Sequence, residues 1–192
     1  MKINKFLYFG DFIVIPALVA LLAYWAFASA GLAAAPAYVA GLVAGGVVWT
    51  LAEYGIHRVL YHHFPLLSDL HERHHAAPQE LIGIPSFLSS GLVVALAYGP
   101  FFAVWPHWAD GFASGALLGY ASYMIVHHAT HHWRLAPGDW LYPARLRHMG
   151  HHYHDDANFG IVTGFWDRAF GTAGGRRDRL EGPGGGISHF RA

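Results

Sequence analysis

Histidine is the residue type with the clearest chemical potential in this sequence. The 192-residue chain contains 16 histidines, compared with 12 lysines and arginines together, and it contains no cysteine. Histidine is the commonest metal ligand in proteins, and the lack of cysteine excludes disulfides, thiolate zinc sites and iron–sulfur clusters. Fourteen of the histidines fall in two blocks, residues 57–75 and 127–154. This concentration of imidazoles predicts a metal site.

The spacing within the blocks indicates which histidines could act together. Residues at positions i, i+3 and i+4 share one face of an α-helix. This spacing occurs in the triplet His71, His74 and His75, in the triplet His148, His151 and His152, and in the pair His127 and His131. His57 and His62 are five residues apart, about 140° around an ideal helix, so they converge only if a helix ends or bulges between them, or if the ligands lie on different elements. The ten predicted metal ligands are His57, His62, His71, His74, His75, His127, His131, His148, His151 and His152.

The number of predicted ligands favours two metal ions. Imidazole ligands suit zinc, copper, iron and nickel, and a single ion uses only about four to six ligands. Other polar residues near the motifs could instead hydrogen-bond the ligand imidazoles and fix their tautomers. The candidates for this supporting role are Glu53, Asp155, His63, His128, His132 and His154. The two remaining histidines, His107 and His189, stand apart from the blocks and are expected to be incidental.

Several functional classes lack support in the sequence. The formal net charge is zero and the pI is about 7.3, without a basic block, so no footprint for nucleic acid is present. No Ser-His-Asp pattern with a nucleophile turn occurs, which disfavours acyl-transfer hydrolysis. The segment 70–75 (LHERHH) has the wrong spacing for an HExxH metalloprotease.

The elements that must position the histidines are predicted from the distribution of charge. Only 12% of the residues are charged, about half the usual share for a soluble domain. Residues 12–52, 81–109 and 111–133 carry no Asp, Glu, Lys or Arg, and one bilayer crossing needs about 20 apolar residues. We therefore predict an all-α integral membrane protein with four transmembrane helices in two hairpins. The predicted spans are 12–33, 36–52, 85–105 and 111–127, with reversals near Gly31 and Pro36 and at Trp105-Pro106-His107-Trp108.

Two hairpins bring the polar parts of the chain to one side of the membrane. The N-terminus, segment 53–84 and everything after residue 127 would share this side, which would then carry all 12 lysines and arginines. The positive-inside rule makes it cytoplasmic, with both termini and the metal site on that side of a bacterial inner membrane. Residues 1–172 are predicted to form the membrane domain, with a helical cap from 53–84 and 128–172. Residues 173–192 are predicted to be a flexible, glycine-rich tail.

Two other accounts of the apolar runs find less support. A soluble helical protein with buried helices would not need runs so free of charge. A cleavable signal peptide would have a short apolar core followed by a polar mature domain, and the first run does not.

The histidine motifs resemble those of the fatty acid hydroxylase and sterol desaturase superfamily, which are membrane histidine-box enzymes. The similarity extends over roughly residues 45–172, and the pairing of His57-x4-His62 with His127-x3-His131 is most similar to fatty acid 2-hydroxylases. The matching segments are His57-x4-His62, His71-x2-His74-His75-Ala-Ala-Pro78, His127-x3-His131, His148-x2-His151-His152, Asn158-Phe-Gly160 and Phe165-Trp-Asp-Arg-Ala-Phe-Gly-Thr172.

This resemblance implies a non-haem di-iron centre that uses O2 to hydroxylate a lipid, with a fatty acyl chain as the expected substrate. Electrons would come indirectly from NAD(P)H, through a separate redox carrier and reductase, because the chain lacks the fused haem carrier domain that many fatty acid 2-hydroxylases contain. Zinc could replace iron in a structure, because imidazole sites accept both metals.

Three alternative functions are also compatible with the sequence. The compact four-span layout also resembles bacterial carotenoid hydroxylases, and a sterol or lipid desaturase would use the same centre. A histidine-rich metal transporter or storage protein belongs to another class, but it would place ionisable residues within the spans. The spans before residue 127 contain no histidine and no acid. A structural membrane protein whose histidines only coordinate zinc is the third alternative.

Overall fold

The structure, a computed structural model, describes residues 3–174, apart from the side chains of Ser86 and His107. Nearly all of the predicted tail lies outside these residues. The described chain is helical, with a 3-10 turn at Gly31–Ala34 and a π-helical turn at Ile56–Leu60. The helices are α1 (Lys5–Phe9), α2 (Asp11–Ala30), α3 (Ala35–Gly55), α4 (Tyr61–His63), α5 (Pro65–Ala76), α6 (Ser86–Val104), α7 (Pro106–His132), α8 (Tyr142–Tyr153) and α9 (Phe165–Ala169).

The four long helices correspond to the four predicted apolar segments, with changes at their ends. The first reversal lies at the expected place, where Gly31 takes a positive φ of 58° that a side chain would disfavour. The second reversal is shorter than predicted, because Trp105 alone separates α6 from α7. Pro106 begins α7, since proline at a helix start loses no hydrogen bond there. α7 therefore extends beyond the predicted span 111–127 in both directions.

Close packing of α3 against α7 joins the two hairpins. A Cβ atom on Gly45 would lie 2.0 Å from the carbonyl oxygen of Phe112, and one on Gly111 would lie 2.1 Å from that of Tyr38. The two backbones can approach so closely only because both positions are glycine, as at many helix interfaces in membranes. This contact sets the position of the histidines that follow α3 relative to those at the end of α7.

The helices are apolar on their outer as well as their inner faces. Ile15, Phe112 and Leu117 are buried between α2, α6 and α7, whereas Val43 and Leu96 are more than half exposed. Two helical stretches, Lys5–His63 and Phe87–Val104, are long and apolar enough to cross a membrane, and the first contains both α2 and α3. Among the described residues α7 does not reach the same mean hydropathy, since glycine, serine and tyrosine dilute its apolar residues.

Candidate metal centre

Eight of the ten predicted ligands converge in two groups. Within each group, one ring nitrogen from every histidine lies within 4.8 Å of the others. Both groups combine histidines from the two sequence blocks, so neither forms without the tertiary fold. Cluster 1 consists of His57, His62, His71 and His151, and cluster 2 consists of His74, His131, His148 and His152.

The π-helical turn after α3 brings together the pair whose spacing did not suit an α-helix. In a π-helix the backbone hydrogen bond runs between residues five apart, and here the amide of Tyr61 donates to the carbonyl of Ile56. Residues five apart then share a face. The rings of His57 and His62 accordingly stack, with centroids 5.8 Å apart. Of the three ways in which this pair could converge, namely a helix end, a bulge or different elements, the structure shows a bulge.

The two triplets lie on helices, α5 and α8, as their spacing predicts, and each triplet serves both clusters. On α5, His71 joins cluster 1 and His74 joins cluster 2, with ring centroids 6.2 Å apart. On α8, His151 joins cluster 1 and His148 joins cluster 2, again 6.2 Å apart. The two clusters are therefore neighbours bridged by α5 and α8.

The other two predicted ligands lie against the clusters. The Nε2 atom of His127 is 3.0 Å from Nε2 of His74, at the edge of cluster 2. The ring of His75 stacks on His152 at 4.1 Å and lies 4.3 Å from the ring of His71, so it stands between the clusters. All ten predicted histidines are thus brought to one region.

The other predicted histidines and Asp155 lie further out. His63 and His154 are exposed. His128 and His132 stack on each other at 4.3 Å, and Nδ1 of His128 lies 3.3 Å from the hydroxyl of Tyr8. The carboxylate of Asp155, largely exposed, is 3.4 Å from Nδ1 of His75, and is the one predicted supporting residue for which a contact with a predicted ligand is found in the described part of the chain.

Backbone carbonyls orient two histidines of cluster 1. The Nδ1 atom of His57 lies 2.6 Å from the carbonyl oxygen of Phe159, and Nδ1 of His151 lies 2.9 Å from that of Ala157. A carbonyl can only accept, so each Nδ1 carries the proton and donates it. Each Nε2 therefore keeps its lone pair and directs it into cluster 1.

The loop that supplies these carbonyls lies between α8 and α9, and two buried carboxylates hold it in place. Asp167 accepts hydrogen bonds from the amides of Phe159 (2.8 Å) and Gly160 (2.9 Å). Glu53 Oε1 accepts from the amides of Ile161 (2.6 Å) and Val162. Both carboxylates thus support the histidines through the loop.

Sequence reasoning favoured Glu53 and Asp155 as supporting acids and passed over Asp167. The available signal was the position of Asp167 within segment 165–172, which carries part of the family resemblance. The carbonyl oxygens of Ala157 and Phe159 had no such signal, because every residue has a carbonyl.

The charge state of the histidines suits metal binding. Burial and neighbouring imidazoles lower the pKa of His74 and of His152 to about 3 and that of His151 to about 4. These rings are therefore neutral near pH 7, the form that ligates metals.

The hydrogen-bonding pattern of cluster 1 also fits a cation. The Nε2 atom of His71 lies 3.2 Å from that of His57 and 3.3 Å from that of His151, and neither of these two carries a proton. One proton on His71 cannot serve both lone pairs, whereas a cation among the three would satisfy them all. The buried Nε2 of His62 has no hydrogen-bond partner among the described residues. The donor set fits an imidazole-bound transition metal such as iron or zinc.

A largely apolar cavity of about 850 Å³ adjoins the clusters. His57, His71, His74 and His127 line one end of it. From there it continues between α3, α6 and α7, mostly along aliphatic and aromatic side chains. Its size lies within the range of about 300–1,000 Å³ that is usual for ligand pockets, and its lining suits an apolar ligand.

A fold of apolar helices with two histidine clusters defines a class of membrane proteins with a histidine-rich dimetal site, and comparison with known proteins identifies the family. Residues 42–172 match the family described as "Fatty acid hydroxylase". The chain therefore belongs to the fatty acid hydroxylase family of oxidoreductases.

Individual relatives agree with this membership. The chain is 35% identical over 146 residues to the ceramide very long chain fatty acid hydroxylase scs7 of Schizosaccharomyces pombe, covering 69% of this chain and 42% of that protein. It is 33% identical over 142 residues to human fatty acid 2-hydroxylase, covering 67% and 38%. A solved structure, full-length scs7p with only the hydroxylase domain visible, matches with a TM-score of 0.72 and 28% identity, over 90% of this chain and 70% of that one. The chain thus spans roughly two fifths of these curated relatives.

Proposed function

We propose that this chain is a membrane-bound, non-haem di-iron oxygenase that hydroxylates a lipid, with a fatty acyl chain as its substrate. The observation that carries the proposal is the pair of neighbouring histidine clusters at one end of an apolar cavity. Two relatives, a ceramide fatty acid hydroxylase and a fatty acid 2-hydroxylase, support an acyl substrate and oxidation next to the carbonyl.

In this proposal each cluster holds one iron ion. The four histidines of each cluster supply the main ligands, while His127 beside His74 and His75 between the clusters complete the set of ten. Two iron ions bound there would activate O2 and supply the oxidant that converts a C–H bond of the lipid into C–OH. The carbonyls of Phe159 and Ala157 keep two imidazoles in the ligating tautomer.

The apolar cavity would position the acyl chain and exclude water from the reacting carbon. Its wall on α6 includes Leu92 and Leu96, whose side chains are 56% and 67% exposed. If α2, α3, α6 and α7 all span the bilayer, the cavity opens between helices towards the acyl chains. A lipid could then reach the clusters without crossing water.

In this proposal the clusters face the compartment that supplies the electrons. The clusters lie where α3 and α7 end, on the side that the positive-inside rule makes cytoplasmic. Electrons from NAD(P)H would arrive there through a separate carrier and reductase. A metal transporter, by contrast, would hold its ions near the middle of the spans.

Lipid profiling of cells tests the proposal. Expression of the chain is expected to produce acyl lipids that are heavier by one oxygen, and His148→Ala, at a position in cluster 2, is expected to abolish them. His154→Ala, which changes an exposed histidine just beyond α8, is the matched control and should retain the product. Loss of two hydrogens instead of gain of oxygen would indicate a desaturase. Full product formation by His148→Ala would refute the proposed centre.

A further inference from the structure

Two stacked phenylalanines lie at the end of the cavity opposite the histidines. Phe101 on α6 and Phe112 on α7 both line the cavity, with ring centroids 3.7 Å apart and ring planes within 7° of parallel. α6 and α7 are antiparallel and joined through Trp105, so both rings lie near this turn, far from His127 at the other end of α7. Trp105 packs behind Phe101, with centroids 5.3 Å apart.

The cavity follows one face of α7 from the phenylalanines to the histidines. Ala116, Tyr120 and Met124 line it at intervals of one helical turn between Phe112 and His127. The fifteen steps along the helix from Phe112 to His127 correspond to about 22 Å at 1.5 Å per residue. The cavity is therefore elongated, with the histidines at one end and the aromatic stack at the other.

We propose that the Phe101–Phe112 stack is the wall that sets the length of the acyl chain this enzyme accepts. The inference rests on the proposed function, in which the carbon to be oxidised lies at the clusters and the tail extends along α7. Each methylene up to the wall gains apolar burial. A methylene beyond the wall must displace a stacked pair that is itself packed, because Phe112 belongs to the core with Ile15 and Leu117.

An alternative path for the tail makes the proposal testable. The α6 wall contains exposed residues, among them Leu88 and Leu92 at 58% and 56% exposure, so a long tail could leave between the helices. If it left there, the phenylalanines would not meet it and chain length would not depend on them.

The test measures the chain-length distribution of hydroxylated products when the full chain, in its membrane, acts on a mixture of acyl lipids. Phe101→Leu and Phe112→Leu move the wall outward and are expected to shift the products to longer chains. Ala97→Leu and Ala116→Leu place bulk one turn nearer the histidines and should shift them to shorter chains. Each methylene beyond the fitted length is expected to lower relative kcat/KM by about tenfold or more.

Phe102→Leu is the matched control, because this neighbouring ring is 52% exposed and stacks on Tyr98 instead of lining the cavity. The measured ratio among products of one reaction does not depend on the yield of folded enzyme. An unchanged distribution in the wall variants would overturn the proposal, as would complete loss of activity, since a remote wall leaves short chains as substrates. Absence of hydroxylated lipid with the unaltered chain would instead refute the proposed function itself.

Discussion

The Nδ1 atom of His57 lies 2.6 Å from the carbonyl oxygen of Phe159, a residue 102 positions further along the chain. This hydrogen bond links the first histidine block to the loop that follows the second. The loop is in turn held by Asp167 and Glu53, which accept its amide hydrogens. The tautomer and orientation of a cluster 1 histidine therefore depend on two carboxylates. These carboxylates accept hydrogen bonds from the loop amides and not from the imidazole itself.

Asp167→Asn should weaken this loop and, with it, metal binding at cluster 1. The new amide can no longer accept from both Phe159 and Gly160, so one buried amide loses its partner. Such a loss costs about 1–3 kcal/mol of unfolding free energy. Thermal unfolding and metal analysis of the purified protein measure both effects. Asp156→Asn, at an exposed position, is the control, and equal behaviour of the two variants would contradict this role of Asp167.

The two clusters should each account for one metal ion. The unaltered protein is expected to bind about two ions per chain, His62→Ala to lose mainly the ion of cluster 1, and His152→Ala mainly that of cluster 2. The reason is that each substitution removes a nitrogen from one group only. Metal analysis after purification gives the count, and His63→Ala serves as the control for His62→Ala. A single ion in the unaltered protein would contradict the two-ion assignment.

Gly115→Ala should disrupt the packing of the hairpins. Its Cβ would lie 2.0 Å from the carbonyl oxygen of Leu42, so α3 and α7 must separate. We expect a loss of about 1–3 kcal/mol or more of unfolding free energy, together with reduced metal binding, because the two helices lead to different histidines.

Gly46→Ala is the matched control for that substitution. It lies on the same helix interface, but its Cβ would be 3.8 Å from the nearest atom, the carbonyl oxygen of Gly115. Thermal unfolding in detergent should show little loss of stability, since alanine favours the helix. Comparable destabilisation by both substitutions would argue against close backbone contact at Gly115.

The four-span topology can be tested with single cysteines, because the natural chain has none. Leu32→Cys lies between α2 and α3, and Trp105→Cys lies between α6 and α7. Both positions are exposed, and both should face the side of the membrane opposite the cytoplasm. Glu72→Cys, on the cap, should lie in the cytoplasm. An impermeant thiol reagent applied to intact cells is expected to label the first two positions, and to label the third only after permeabilisation. Labelling of all three from one side would refute the topology.

The sequence by itself determined the four long helices and which histidines were predicted to act together. The apolar runs predicted α2, α3, α6 and α7, because an uncharged run of this length suits a helix whatever surrounds it. The helical positions within the triplets on α5 and α8 followed from local spacing in the same way. These features depend on residues close together in the chain, so they can be recognised without the fold.

Tertiary structure alone decided how the histidines divide between the clusters. Spacing placed His71 and His74 on one face, yet the fold sends them to different clusters, because their partners come from α8, the end of α7 and the π-helical turn after α3. The carbonyls that orient His57 and His151 are likewise invisible in the sequence, since every residue has a carbonyl. Contacts between residues about a hundred positions apart depend on the packing of α3 against α7, which local spacing does not encode.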